Sequence, residues 1–197
     1  MQTAGIVLAG GLSSRFGSPK AFAEWDGVPY YRFSLQAMAP FCEECLIVTR
    51  PELVPQFPIG IKTVTDLAKI AGQGPVAGIL TGMESIKADR YVVLPCDMPF
   101  MEPGVIGELL KRHQSGVTAV VLDGKKHPLV SVWDVSAQAE LRKALESRLR
   151  RVMEVQEKIG VQWVDGCSLT CNPGKVFENV NTPGVLERRG SDGGDRR

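Results

Sequence analysis

Gly5-Ile-Val-Leu-Ala-Gly-Gly-Leu-Ser-Ser-Arg-Phe-Gly-Ser-Pro-Lys20 carries an apolar strand straight into a glycine-rich turn that contains an arginine and ends on a lysine. Residues 4–8 are apolar and partly β-branched, as a central strand buried on both faces requires. Gly10 and Gly11 let the backbone turn sharply and approach a ligand with no Cβ in the way, so that successive N–H groups can point at phosphate oxygens. Arg15 and Lys20 add positive charge to the same loop. The stretch reads as a nucleoside triphosphate site.

Two better-known glycine loops are excluded. The dinucleotide fingerprint G-x-G-x-x-G is absent, because the first glycines are adjacent and the next comes at Gly17. The pattern G-x-x-x-x-G-K-[ST] fails as well, since Ser18 and Pro19 separate Gly17 from the lysine and Ala21 follows it. What remains, L-A-G-G-x-S-x-R-x-G-x-x-K, resembles the signature of nucleotidyltransferases, which move a nucleoside monophosphate from a triphosphate to an acceptor phosphate. A plain strand-to-helix turn explains the glycine pair but not the ordered Ser13, Arg15, Gly17 and Lys20.

Around this loop, short β-like runs alternate with helical patterns, which predicts an α/β fold with a mostly parallel sheet. The expected strands are 4–8, 45–49, 62–65, 91–94, 118–122, 129–133 and 161–164. The expected helices are 30–38, 76–86, 105–113 and 137–149. Asp123-Gly124 between two strand runs signals a hairpin, hence at least one antiparallel strand. A chain of 197 residues, 44% of them hydrophobic, suffices for one well-buried domain, expected over 1–187. Residues 188–197 hold no apolar side chain and are expected to form a disordered tail.

The formal net charge of +1 gives no basic field of the kind nucleic acid attracts, so no nucleic-acid partner is expected. No apolar run is long enough to cross a bilayer and no signal segment precedes the first strand, so the expectation is a cytoplasmic protein without a membrane partner. Five cysteines argue against a secreted disulfide framework. Cys42, Cys45, Cys167 and Cys171 are the residues a zinc ion would use, with simple packing as the alternative. Cys96 reads as an apolar filler.

Asp97 ends the apolar run Tyr91-Val-Val-Leu-Pro-Cys on the same sheet edge as the glycine loop, where a carboxylate can hold Mg²⁺ against nucleotide phosphates; the alternative is a helix cap. Asp66 ends a strand in the same way, and Gly72-Gln-Gly74-Pro-Val-Ala-Gly78 follows it, as a close approach to base or ribose or as a surface turn. His127 reads as a structural residue, because transfer to an existing phosphate anion needs no general base. Asn179 and Asn181 share one side of an extended segment and offer neutral donors and acceptors.

In order, L-A-G-G-x-S-x-R-x-G-x-x-K, Asp66, G-P-V-A-G, L-P-C-D-M-P-F, H-P-L, R-R-V-M and N-V-N-T-P resemble the molybdenum cofactor guanylyltransferase family over residues 4 to about 187. The resemblance implies a Rossmann-like three-layer α/β/α sandwich that joins GMP from GTP to molybdenum-bearing molybdopterin, with Mg²⁺ as cofactor. By position it implies that Leu8, Ala9 and Gly10 contact the nucleotide through backbone groups, that Arg15 and Lys20 hold phosphates, that Asp66 meets the nucleoside, and that Asp97 binds the metal. Arg150, Arg151, Asn179 and Asn181 fall on the acceptor side. Other proteins of cofactor biosynthesis, or molybdoenzyme chaperones, are the partner proteins it implies. Pro19 departs from the pattern, since an acidic residue often precedes the lysine there. A cytidylyltransferase of the same superfamily and a non-catalytic GTP-binding adaptor stay open on the residues alone.

Overall fold

Apolar side chains on both faces of a strand demand cover on both faces, and the chain answers with helices above and below one sheet. The computed structural model describes residues 1–11 and 19–180. The sheet is built from β1 (Thr3–Leu8), β4 (Glu44–Thr49), β5 (Thr63–Thr65), β6 (Arg90–Pro95), β7 (Val117–Leu122), β8 (Lys125–Asp134) and β9 (Val161–Asp165), the short β2 (Glu24–Trp25) and β3 (Val28–Pro29) forming a separate hairpin. The seven strands run in the order β5-β4-β1-β6-β8-β7-β9. Only β8 is reversed, antiparallel to both β6 and β7.

Successive residues of one strand serve opposite cores. Val7, Val92 and Leu94 face α1 (Tyr30–Met38) and α3 (Pro103–Arg112), whereas Ile6, Tyr91 and Val93 face α2 (Pro75–Ser85), α4 (Ala137–Glu146) and α5 (Val152–Ile159). A short α6 (Pro173–Val176) closes the first core with Val176 and Phe177. Among the described residues no helix is long and apolar enough to cross a membrane.

The hairpin of β7 and β8 turns through Asp123 and Gly124, both at positive φ (50° and 76°), so the strand starts at Lys125, four residues before the run expected from 129. Asp26 and Gly27 make the same turn between β2 and β3 (49° and 73°). Helix α4 ends at Glu146 although the apolar pattern runs on to Leu149. Arg148 adopts the left-handed conformation (φ 59°), and the Leu149 N–H reaches back to the Ala144 carbonyl at 2.8 Å, the closure that usually uses glycine. Helix α5 was not expected. It ends on Gly160 at φ 91°, and its core face carries a polar residue, Gln156, whose amide donates to the Pro128 carbonyl at 2.8 Å.

Candidate active site

The glycine loop leaves the sheet between two parallel neighbours. The Ala9 N–H donates to the Val48 carbonyl at 2.8 Å and the Cys96 N–H to the Leu8 carbonyl at 3.2 Å, so pairing continues past the end of β1 on both sides. At Gly10 and Gly11 the chain separates from β4 and β6 and opens a cavity of about 730 Å³ at the carboxyl edge. That is where open α/β sheets take ligands.

Lys20 returns to this edge on a short 3-10 turn, Lys20–Phe22, that is anchored from below. Ala21 is buried, and the Phe22 ring lies 4.7 Å from Phe57 and 5.9 Å from Tyr31. The Lys20 ammonium donates to Asp97 Oδ2 at 3.1 Å, with both side chains mostly shielded. Asp97 follows β6, while α3 begins only at Pro103 with Glu102 as its cap. Its carboxylate is therefore not a helix cap. Just before it, Cys96 is buried, and burial first and the Asp97 charge second push its thiol up to about 12. Cys96 stays protonated and packs.

Asp66 stands at the end of β5 and accepts the Gly72 N–H at 3.1 Å. Burial pushes its carboxyl above the ordinary value. Gly74 then takes φ 81° and ψ −163°, a conformation essentially restricted to glycine, and its carbonyl accepts from Ala77 and Gly78 to start α2. A Cβ on Gly78 would stand 3.0 Å from Leu8 Cδ2, so the helix start lies close against the glycine strand. The segment 72–78 is a cavity wall and not merely a surface turn.

Leu8, Ala9, Gly10, Gly11, Lys20, Asp66, Gly74, Asp97 and Asn179 all line this one cavity. Arg15 and Asn181 lie outside the described residues. Arg150 and Arg151 are exposed and do not line the cavity; Arg151 pairs with Glu154 at 3.1 Å at the start of α5. Sequence reasoning missed Arg50, Lys125 and Lys126, which also line it, and His127 lines it as well. The adjacent lysines after an Asp-Gly turn were the available signal.

The donor set bears on metals. Among the described residues no three His, Cys, Asp or Glu side chains gather as a metal cage would need, and the four cysteines considered for zinc are no exception. A lone carboxylate beside a phosphate site fits Mg²⁺, which keeps most of its ligands from water and phosphate.

Residues 5–160 match the MobA-like NTP transferase domain. The chain belongs to this family. A probable molybdenum cofactor guanylyltransferase of Bacillus cereus (strain ATCC 10987 / NRS 248) is 34% identical over 184 residues, a match covering 91% of either chain. Its counterpart in Geobacillus sp. (strain WCH70) is 35% identical over 188 residues, 93% of this chain and 96% of its own. Among solved structures, the molybdopterin-guanine dinucleotide biosynthesis protein A of Archaeoglobus fulgidus superposes with a TM-score of 0.78 at 26% identity, covering 94% of this chain and 95% of the other. A CMP:2-keto-3-deoxy-manno-octonic acid synthetase complexed with CTP shares the fold at a TM-score of 0.69 and 15% identity. The mostly parallel sheet flanked by helices is thus a fold shared with the Archaeoglobus fulgidus protein over nearly the whole chain.

Proposed function

We propose that this enzyme transfers GMP from GTP to molybdenum-bearing molybdopterin, releasing pyrophosphate and forming the guanine dinucleotide cofactor. The observation that carries the reading is the Lys20–Asp97 pair, 3.1 Å apart, in the same cavity as the glycine loop. The relatives named for this activity match nearly the whole chain.

On this reading residues 1–187 form one nucleotidyltransferase domain, working in the cytoplasm, where GTP is at hand. Its N-terminal half holds GTP: Leu8, Ala9, Gly10 and Gly11 present backbone groups, Asp66 and Gly74 bound the nucleoside, and Arg15 and Lys20 hold phosphates. Asn179 and Asn181 meet the acceptor, and Arg150 and Arg151 are assigned to the acceptor side from the family resemblance alone. The acceptor's terminal phosphate attacks the α-phosphorus in line with the departing pyrophosphate. Two polyanions must meet, so the protein's task is alignment and charge neutralisation. Lys20 serves the second by standing where pyrophosphate charge develops. Asp97 would hold Mg²⁺, which neutralises phosphate charge when bound.

Incubation with GTP, Mg²⁺ and metal-loaded molybdopterin is expected to give the guanine dinucleotide, identified by mass, with one pyrophosphate per product. CTP in place of GTP should give none. Asp97→Asn keeps the size of the side chain but offers a poorer ligand to a hard cation, so its Mg²⁺ titration should shift upward by about tenfold or more. An unmoved curve would leave Asp97 only as the partner of Lys20.

A further inference from the structure

The cavity's cations divide sharply by their partners. Lys20 is paired with Asp97 at 3.1 Å, Arg50 with Glu52 at 2.8 Å, and Lys126 with Glu157 at 3.1 Å. Lys126 also lies over the Trp163 ring, 4.8 Å from its centroid, which ties its ammonium to α5 and β9. Lys125 lines the same cavity, is exposed, and has no carboxylate partner among the described residues. Each paired cation enters the site already neutralised. Lys125 is the lining cation, among those described, that brings uncompensated charge.

Its place follows from the hairpin. The Asp123-Gly124 turn makes Lys125 the first residue of β8, paired with Leu122, and strand alternation sends Lys125 and Lys126 to opposite faces. In the sheet order β8 lies beyond β6, on the side of β1 away from β4 and β5. Four strand spacings, about 19 Å, separate β5 with Asp66 from β8. A nucleotide seated between Asp66 and the glycine loop therefore leaves Lys125 to whatever meets it from the other side. Asn179 completes that wall, because the Val180 N–H donates to the Asp97 carbonyl at 3.0 Å and so seats Asn179 beside β6.

The geometry points to Lys125 as the residue that captures the terminal phosphate of the acceptor and holds it for attack, with Lys126 fixed elsewhere. This inference rests on the proposed guanylyl transfer. An ammonium suits the task, since it binds phosphate as a point charge and leaves the attacking oxygen free to turn.

The test compares Lys125→Gln, Lys125→Arg and Lys143→Gln with the wild type. Lys125→Gln should raise the KM for metal-loaded molybdopterin by about tenfold or more, keep kcat within a few-fold, and keep GTP affinity measured without acceptor. Lys125→Arg should recover most of the loss, and Lys143→Gln, at an exposed lysine of α4 that pairs with Glu140 outside the cavity, should change neither constant. A second readout needs no turnover: inorganic phosphate is titrated calorimetrically into protein loaded with a non-hydrolysable GTP analogue and Mg²⁺. The wild type should bind it, with affinity falling as salt rises, and Lys125→Gln should bind several-fold more weakly. An unchanged acceptor KM, equal phosphate binding, or a loss of GTP affinity in Lys125→Gln would overturn the assignment. If the wild type binds phosphate through Lys125 yet makes no guanine dinucleotide, the failure belongs to the transfer reading instead.

Discussion

His127 is 5% exposed, its ring centroid lies 5.5 Å from that of Phe177, and its buried Nε2 has no hydrogen-bond partner among the described residues. Burial first, and the Lys125 charge second, hold its pKa below the ordinary 6.5. The folded protein therefore resists a proton that the unfolded chain accepts. Between the depressed value and 6.5 the unfolded chain binds more protons, so this stability is present above 6.5 and is lost as pH falls through the folded value. Between about pH 7 and about pH 5, the melting temperature of the wild type should fall more steeply than that of His127→Leu. Equal slopes would assign the acid sensitivity to other groups. At this scale Lys20 and Asp97 were legible, because a charge at the end of a glycine loop or of a buried strand has little packing reason to be there. Arg50 and Lys125 were not, because a basic residue after a strand or turn is ordinary on any surface until the cavity shows what it faces.

Among the elements, α2 tests how closely helix and sheet fit. Val76, Ala77, Ile79, Leu80 and Met83 are all buried, and a Cβ on Gly82 would come within 2.7 Å of Ile6 Cδ1 and 2.8 Å of its Cγ2. Alanine favours a helix over glycine by about 1 kcal/mol. Overpacking a filled core costs about 1–3 kcal/mol, and Ile6 has no exposed side to move toward. Gly82→Ala should therefore lower the urea midpoint, whereas Gly104→Ala in α3, whose Cβ meets nothing within 4 Å, should raise it. A neutral Gly82→Ala would mean that Ile6 repacks at little cost. The inner strands were legible because burial on both faces writes them as apolar runs, and the half-exposed edge strands β5 and β9 because their short stretches are rich in β-branched or aromatic residues. Helix α5 escaped because Gln156 interrupts its apolar stripe, its burial made tolerable by a hydrogen bond to Pro128 that no local pattern announces. The β2–β3 hairpin carried the same Asp-Gly signal as β7–β8 but has strands of only two residues, too short for alternation to show.

Over the whole molecule, the site depends on the chain's last described segment returning to its first. Parallel pairing of β1 with β6, Leu8 opposite Pro95, sets the glycine loop and Asp97 on one edge, and this much follows from the strand pattern. The return does not, because residues 166–180 show no periodicity that places them. In the structure Phe177 is 2% exposed, and a Cβ on Gly166 would touch its ring at 2.8 Å. From that anchor the Val180 N–H reaches the Asp97 carbonyl at 3.0 Å. Phe177 thus holds the backbone clamp on Asp97 without entering the chemistry. Phe177→Ala should lose about 3–5 kcal/mol of stability from the cavity it leaves. In protein still folded at low temperature, loosening of the clamp should also raise the Mg²⁺ needed for half-maximal transfer, by several-fold, while Phe177→Leu keeps much of both. Urea denaturation and a Mg²⁺ titration on the same preparations separate the effects. A destabilised Phe177→Ala with a wild-type Mg²⁺ curve would show that β6 alone fixes Asp97, and that the C-terminal return serves the acceptor wall through Asn179.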